Sequence, residues 1–170
     1  MVDYIIISNL TIIMFLRILN KLRRESYKLF RPILWGRSLQ INGIPTIGNI
    51  KRLELGYDVS LNSDCYIQCV GGGVKIDNCV TISHGVKILT SGLDTSDYPN
   101  KCICKNREHI QAPVHIGEGV WLCAGSMVMP GVTIAPKIIV AAGSVVTKNL
   151  DREGWLYAGI PAKPIKSFLK

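Results

Sequence analysis

Aliphatic residues recur every six positions over long stretches of this chain. The longest run extends from Ile116 to Val146, and a second small or aliphatic residue follows four positions after each member. The aliphatic positions are Ile116, Leu122, Val128, Ile134, Val140 and Val146, and the companion positions are Val120, Ser126, Val132, Ile138, Ser144 and Leu150. A period of six fits neither an amphipathic α-helix nor a simple alternating strand over this length.

Two further runs upstream keep the same period. Their aliphatic positions are Leu55, Leu61 and Ile67, then Ile76, Ile82 and Ile88, and their companions are Val59, Cys65 and Gly71, then Val80, Val86 and Gly92. A solenoid coil with three short flat faces, each formed by one hexapeptide, accounts for such a repeat, because both positions then point into a narrow prism. The pattern predicts an all-β solenoid over residues 41–153.

The period is interrupted twice. Three extra residues between Ile67 and Ile76 coincide with Gly71–Gly73, and 22 extra residues between Ile88 and Ile116 form a polar segment. A solenoid can eject a loop because the neighbouring coils still stack, and long excursions from compact folds are usually functional. We therefore predict a functional loop at 91–113 and a C-terminal tail at 154–170.

Residues 1–40 do not follow the repeat and are predicted to form an amphipathic, basic helical segment. The apolar stretch Tyr4–Leu16 is too short to span a bilayer and lacks the basic start and the cleavage site of a signal peptide. Its basic continuation contains Lys21, Arg23, Arg24, Lys28, Arg31 and Arg37. An apolar segment that runs into a basic helix is typical of a membrane-surface anchor, here residues 1–31. Packing of the apolar face on the body of the protein or on a neighbouring subunit is the open alternative.

The net charge indicates which ligands to expect, and the cysteine spacing indicates whether to expect a metal site. The net charge is +8, and a second basic cluster near the end holds Lys163, Lys166 and Lys170, so phosphate groups are expected ligands. The chain has no recognisable nucleic-acid motif, and nucleic acid is not an expected partner. None of the six cysteines forms a CxxC pair, and Cys102-x-Cys104 has no second ligand pair, so no metal site is predicted. We expect reduced thiols in a cytoplasmic protein.

The segment IGEGVWLCAGSMVMPGVTIAPKIIVAAGSVVTKNL, followed by YAGIPAKPIK, resembles the hexapeptide-repeat acyltransferases. The likeness covers roughly residues 55–166 and points to the galactoside, maltose and polysaccharide O-acetyltransferase branch. The resemblance implies a left-handed parallel β-helix and a homotrimer. It also implies acetyl-CoA as co-substrate, bound between adjacent subunits, and a sugar or glycan as acceptor.

The resemblance also assigns cofactor contacts to the C-terminal coils. It implies that Ala124 and Ala142 bind the pantetheine arm through their backbone, with Thr147 and Lys148 alongside, Lys163 and Lys166 near the CoA phosphates, and Trp121 near the acetyl end. Small residues allow close approach of an extended arm, and lysine is a suitable point charge for phosphate. Cys123 occupies a position where the family usually has glycine.

The family's catalytic base is a histidine in the ejected loop, but this chain has Leu93 at the matching position. Histidine can take a proton from a hydroxyl and return it, whereas leucine cannot. Asp94 matches the residue that would orient the base. Three explanations remain open: a degenerate site that binds without turnover, a different histidine, or substrate-assisted transfer to an amine. The replacement candidates are His84, in the repeat before the loop, and His109, inside it. His115 precedes an inward residue and is expected to be a solvated surface histidine.

The resemblance thus implies acetyl transfer from acetyl-CoA to a sugar hydroxyl. Lipid-linked glycans are assembled at the cytoplasmic membrane face, so the basic N-terminus favours surface polysaccharide biosynthesis and a location peripheral to the inner face of the membrane. The alternatives are an amino-sugar N-acetyltransferase, a serine acetyltransferase, an antibiotic-inactivating acetyltransferase and a non-catalytic trimeric scaffold. The long helical N-terminal domain of serine acetyltransferases is not recognisable here.

Overall fold

The chain divides into two compact units, Met1–Gly36 and Arg37–Lys170. A computed structural model describes residues 14–23, 25–26, 38–96, 100 and 107–169. In the first unit, residues 14–23 and 25–26 are helical, and their side chains are exposed. Across the described ranges, no helix is both long and apolar enough to cross a membrane. Cys102 and Cys104 lie outside the described residues.

The second unit is a solenoid of five coils, and each coil contributes one short stretch to each of three sheets, which are parallel except for the antiparallel last strand of the first sheet. The first sheet holds β1 (Gln40–Ile41), β4 (Ser60–Leu61), β7 (Thr81–Ile82), β12 (Trp121–Leu122), β15 (Ile139–Val140), β17 (Trp155–Ala158) and β18 (Lys163–Ser167). The second holds β2 (Thr46–Ile47), β5 (Tyr66–Ile67), β8 (Lys87–Ile88), β13 (Met127–Val128) and β16 (Val145–Val146). The third holds β3 (Leu53–Leu55), β6 (Val74–Ile76), β11 (Val114–Ile116) and β14 (Thr133–Ile134), with a short 3₁₀ turn at Ile50–Arg52 before it.

The core consists of the residues that recur every six positions, which confirms the predicted solenoid. Equivalent inward residues of successive coils are directly paired, as Ile82, Leu122 and Val140 are in the first sheet. The inward and companion positions from Ile116 to Leu150 are all buried. Stacking them removes a continuous column of aliphatic surface from water, which no single hexapeptide could achieve alone.

Two companion positions that were predicted to point into the core are not buried there. Gly71 and Gly92 are half-buried, and Cys69 and Thr90, each two positions earlier, are fully buried instead. Both glycines stand where extra residues leave the coil, so the chain turns outward before the companion position is reached.

Three corners connect the sheets, and two of them matter below. The first corner leads from the first sheet to the second and includes residues 62–65, 83–86, 123–126 and 141–144. The second corner leads from the second sheet to the third and includes residues 68–73, 89–113, 129–132 and 147–149, so the long loop leaves the solenoid there.

The root of the predicted loop is ordered by strand pairing. β9 (Ser91–Leu93) and β10 (His109–Gln111) form an antiparallel two-stranded sheet. The side-chain Oε1 of Gln68 accepts hydrogen bonds from the backbone N–H groups of Thr90 and Ser91 at 2.9 and 3.0 Å. A polar segment therefore starts and ends at fixed positions on the second corner.

The diglycine beneath this root is explained by close packing. A Cβ at Gly71 would lie 2.4 Å from Cβ of Gln111, and a Cβ at Gly72 would lie 2.7 Å from the ring of Pro113. Real Cβ atoms do not approach other atoms that closely, so the glycines let the returning end of the loop lie directly on the preceding coil. The segment predicted as a tail at 154–170 contains β17, which pairs with β15, and β18, which pairs with β17.

Candidate functional site

Ser63, His84, Ala124 and Ala142 occupy the same place in four consecutive coils, along the first corner. Main-chain hydrogen bonds connect one coil to the next at 2.9–3.1 Å: the N–H groups of Gly85, Gly125 and Gly143 donate to the carbonyls of Ser63, His84 and Ala124. Neighbouring strands of a sheet are spaced by about 4.8 Å, which sets the step from one residue to the next. The four residues thus form a straight track, called here the first-corner track.

The C-terminal half of this track exposes bare backbone. Ala124 and Ala142 are exposed, and the glycines after them, Gly125 and Gly143, have φ values of +67° and +66°. A Cβ added to either glycine would meet no heavy atom within 4 Å. An extended arm could therefore lie against this backbone without steric interference, as predicted for Ala124 and Ala142 from their small size.

Lys163 lies at the C-terminal end of the first-corner track. It pairs with Ala158 of β17, and Val140 pairs with Tyr157, so Ala158 lies beside Ala141, the residue before Ala142, in the next layer. Lys166 pairs with Leu156 and lies farther along the first sheet. Of the two lysines predicted to bind phosphate, Lys163 is the one at the corner.

Trp121 lies on β12 of the first sheet, immediately before the corner. Its side chain is 47% exposed, and its indole Nε1 donates to Oγ of Ser83 at 2.9 Å. Since Ser83 precedes His84, this hydrogen bond fixes one edge of the indole ring next to the first-corner track. An exposed aromatic face held beside a row of small residues is suited to cover a flat or apolar ligand group.

His84 is exposed, and its contacts are made through one ring nitrogen. Nδ1 lies 2.9 Å from Oγ of Ser63, in a hydrogen bond, and 3.5 Å from Oδ2 of Asp64. In the described part of the chain Nε2 makes no such contact, which leaves it accessible to a ligand. A histidine that is held through Nδ1 can exchange a proton through Nε2.

Thr147 and Lys148 lie on the second corner, not on the first. They follow Val146 of β16 and are exposed, and within one chain a strand of the second sheet separates them from Ala142. A single chain therefore does not bring all the predicted cofactor residues together.

The loop candidates also belong to the second corner. His109 on β10 is directly opposite Leu93 on β9. The Asp94 carboxylate accepts hydrogen bonds from the backbone N–H and the hydroxyl of Ser96, both at 2.9 Å. Asp94 thus closes a local turn, a role that side chains of this type often have in loops. His84 and His109 are candidates at two different corners.

His115 differs from its expected solvated state. Its Nε2 donates to Oδ2 of Asp77 at 2.8 Å, and its side chain is 38% exposed on the third sheet. It lies on neither corner, which leaves it outside the candidate site.

Burial raises the pKa of three of the four described cysteine thiols. It raises the pKa of Cys65 to about 11 and that of Cys69 to about 12, and it raises the pKa of the half-buried Cys123 thiol beside Ala124. Among the described residues, no cluster of three metal-ligating side chains occurs.

Ser63 and Ser83 were not identified from the sequence, although a signal for Ser63 exists. Ser63 follows the inward Leu61 by two positions, as His84 follows Ile82 and Ala124 follows Leu122. Residues with equal offset from an inward position occupy the same corner when they lie on the same sheet. The offset thus identifies Ser63 as a neighbour of His84, whereas the bond from Trp121 to Ser83 has no comparable sequence signal.

Known proteins resemble this chain in both sequence and fold. Residues 113–148 match the family described as bacterial transferase hexapeptide (six repeats). The chain is 34% identical over 92 residues to the galactoside O-acetyltransferase of Escherichia coli K12, which covers 53% of the chain and 45% of that protein. The chain spans about half the length of the curated relatives it matches.

Two solved structures share the fold. A galactoside acetyltransferase in complex with coenzyme A aligns with a TM-score of 0.65 at 25% identity, over 76% of this chain and 64% of that one. A hexapeptide-repeat acetyltransferase from Vibrio cholerae, complexed with acetyl coenzyme A, aligns with a TM-score of 0.69 at 21% identity, over 87% and 79%. These folds are left-handed parallel β-helices, which confirms the predicted handedness. Residues 113–148 thus carry the hexapeptide repeat of this family, and the solenoid has the fold of the hexapeptide-repeat acetyltransferases.

Proposed function

We propose that this protein transfers an acetyl group from acetyl-CoA to a hydroxyl of a sugar or glycan. The observation that carries the proposal is the first-corner track, which aligns His84, the bare backbone at Ala124 and Ala142, and Lys163 in one row. The similarity to a galactoside O-acetyltransferase, and to a galactoside acetyltransferase with bound coenzyme A, supports the cofactor and the class of acceptor.

The track suggests how the cofactor binds. The pantetheine arm lies along the backbone of Ala142 and Ala124, with its phosphates toward Lys163 and its thioester toward His84. Trp121, held by Ser83, covers the acyl end. Lysine attracts phosphate as a point charge, and extended binding along bare backbone needs the small residues that the track presents.

His84 then acts as the general base. Its Nε2 takes the proton of the acceptor hydroxyl as the oxygen attacks the thioester carbonyl. The tetrahedral intermediate collapses when the carbon–sulfur bond breaks, and the imidazolium returns the proton to the departing sulfur. The products are the acetyl ester of the acceptor and free CoA. His84 alone therefore takes and returns the proton, and no histidine is needed at position 93.

A homotrimer is the assembly we propose, because it accounts for the residues on the second corner. If the second corner of one copy lies against the first corner of the next, Thr147, Lys148 and the loop all reach the track of a neighbouring copy. Light scattering should then report about 56 kDa, three copies of the 18.8 kDa chain. A stable monomer at micromolar concentration would contradict a site shared between copies.

Contact of residues 1–31 with the inner membrane surface is the location we propose, and it links the enzyme to surface polysaccharide synthesis. Within the described helix, Met14, Phe15, Ile18, Leu19 and Leu22 follow the spacing of one helix face, and each is 43–62% exposed. Three basic residues flank this face: Arg17, Lys21 and Arg23. An apolar face beside basic side chains suits a surface of anionic lipid.

Vesicle sedimentation of the full chain tests this contact. Binding should be stronger to vesicles with phosphatidylglycerol than to pure phosphatidylcholine, and Ile18→Asp should weaken it. Ile165→Asp is the matched control, because Ile165 is similarly exposed, at 58% against 53%, but lies in the solenoid. Equal sedimentation of Ile18→Asp and the unmodified protein would refute the contact.

An acetylation assay tests the activity itself. Release of CoA from acetyl-CoA is measured with neutral sugars, amino sugars and oligosaccharides, and the acetylated product is identified by mass spectrometry. Activity on neutral sugars that His84→Ala lowers by about 10²–10⁴-fold supports the proposal, because positioned general bases contribute that much. Acetylation of amino sugars alone would support N-acetyl transfer, and CoA binding without any turnover would support a non-catalytic scaffold.

A further inference from the structure

Ser63 and Asp64 both lie close to the same nitrogen of the His84 imidazole. Ser63 is one coil below His84 on the first corner, and its Oγ lies 2.9 Å from Nδ1 of the imidazole. Asp64 follows, and its Oδ2 lies 3.5 Å from the same nitrogen. The opposite ring nitrogen has no such partner among the described residues. Ser63 and Asp64, which are adjacent in one coil, thus both lie close to Nδ1 and not to Nε2.

This asymmetry bears on which nitrogen can act as a base. The serine hydroxyl can donate to a ring nitrogen or accept from its N–H, whereas the carboxylate of Asp64 can only accept. A neutral imidazole carries its proton on one nitrogen, and the hydrogen bond made by that nitrogen determines the tautomer. With the proton on Nδ1, that N–H donates to Oγ of Ser63, and Nε2 keeps its lone pair. With the proton on Nε2, the ring cannot accept a proton from the hydroxyl of an acceptor at that atom.

We propose that Ser63 is a positioning residue, which holds His84 in the Nδ1–H tautomer with Nε2 ready to accept a proton. The inference rests on the proposed role of His84 as the base. Asp64 supports the same tautomer, because its carboxylate, with Oδ2 3.5 Å from Nδ1, can only accept a hydrogen bond. Because Asp64 is exposed, its charge acts at a distance through solvent, and the serine hydroxyl provides the direct contact.

The backbone makes this arrangement rigid. The N–H of Gly85 donates to the carbonyl of Ser63 at 3.1 Å, and Gly85 follows His84 directly, so the two side chains start from hydrogen-bonded coils. Cys65, the residue after Asp64, is fully buried in the core. A hydroxyl on a fixed corner, next to a histidine on a fixed corner, can set the ring orientation without a large loss of side-chain freedom on binding.

Nitrogen NMR of the full chain, labelled with ¹⁵N-histidine, reads the tautomer directly and does not depend on activity. The expected result is that Nδ1 of neutral His84 carries the proton in the unmodified protein, and that Ser63→Ala shifts the equilibrium toward the Nε2–H form. Ser63→Thr keeps the hydroxyl and should restore the original tautomer. Ser60→Ala is the matched control, because it removes a hydroxyl from the same coil that contacts Asn42 rather than histidine.

Kinetics of the same variants complete the test. Ser63→Ala should lower kcat by about 10-fold or more, leave the KM for acetyl-CoA within about twofold, and be rescued by Ser63→Thr, since the change affects the base and not the cofactor track. An unchanged tautomer in Ser63→Ala would overturn the positioning role. A shifted tautomer together with full activity of His84→Ala would instead overturn His84 as the base, and with it the catalytic value of the contact.

Discussion

Leu93 and His109 face each other directly across the antiparallel pair at the root of the loop. The backbone N–H of Asp94 donates to the carbonyl of Glu108 at 2.9 Å, so the pair formed by those two residues is hydrogen-bonded and the next pair, Leu93 with His109, is not. Side chains of non-hydrogen-bonded pairs lie on the same face and closest together, with Cβ atoms about 4.5–5.5 Å apart. A histidine thus stands beside the position from which the family's histidine is missing.

Exchanging Leu93 for histidine should change little. If His84 is the base, Leu93→His and His109→Ala should each alter kcat by less than about threefold, because His84 then already takes and returns the proton. Steady-state kinetics with acetyl-CoA and a sugar acceptor measure this. A loss of about 10²-fold in His109→Ala, with His84→Ala still active, would mean that the base has moved across the strand pair and is delivered by a neighbouring copy.

Lys163 should contribute more to cofactor affinity than Lys166. Lys163 is located at the corner, whereas Lys166 lies farther along β18 with its Nζ 5.2 Å from the ring centroid of Phe168. Loss of one charge-assisted phosphate contact is worth about 1–2 kcal/mol, so Lys163→Ala should weaken CoA binding by about 5–30-fold in calorimetry.

The same experiment with dephospho-CoA identifies which phosphate is involved, and Lys51→Ala, on the short turn before the third sheet, is the control for a general loss of positive charge. Unchanged CoA affinity in the Lys163→Ala, Lys166→Ala double variant would show that the cofactor does not follow the first corner.

Cysteine labelling should report occupancy of the track. Burial raises the pKa of Cys65 to about 11, so at pH 8 only about one thousandth of that thiol is ionised, and Cys69 is ionised even less. Iodoacetamide followed by peptide mass spectrometry should therefore modify exposed Cys79 and half-buried Cys123 before Cys65 and Cys69.

CoA should protect Cys123, which adjoins Ala124, and leave the modification rate of Cys79 unchanged as an internal reference. Equal rates at Cys123 with and without saturating CoA would argue against a pantetheine arm beside Ala124.

Two buried hydroxyls should have opposite effects on stability. Among the described side chains, Oγ of Ser126 is buried without a hydrogen-bond partner, whereas Oγ1 of Thr90 accepts from the backbone N–H of Val70 at 2.9 Å. Ser126→Ala should raise the free energy of unfolding by about 1 kcal/mol, and Thr90→Val should lower it by about 1–3 kcal/mol by leaving that N–H unpaired. Denaturant midpoints at one fixed protein concentration compare the variants, and a stabilised Thr90→Val would contradict the role assigned to this contact.

The repeat predicted the core because inward positions of a solenoid depend only on period. The same period also assigns residues to corners. Ala124 and Ala142 are one coil of 18 residues apart and share a corner, whereas Thr147 comes five residues after Ala142 and so lies past the next strand. The strand pairing at the loop root was not predictable in this way. Ser91–Leu93 and His109–Gln111 are short, have no shared period and are separated by 15 residues, so only the three-dimensional closure of the coil brings them together.

The fixed root of the loop also bears on how this scaffold could diversify or be redesigned. Gly71 and Gly72 fit beneath Gln111 and Pro113 at the returning end of the loop, and Gln68 holds its outgoing strand. Both ends of the loop are therefore fixed by contacts with the preceding coil. Lengthening a connection adds only a slowly growing entropic cost once its ends are anchored. The segment between Ser96 and Arg107 can therefore be exchanged for segments of other lengths and chemistries while the aliphatic core is kept intact.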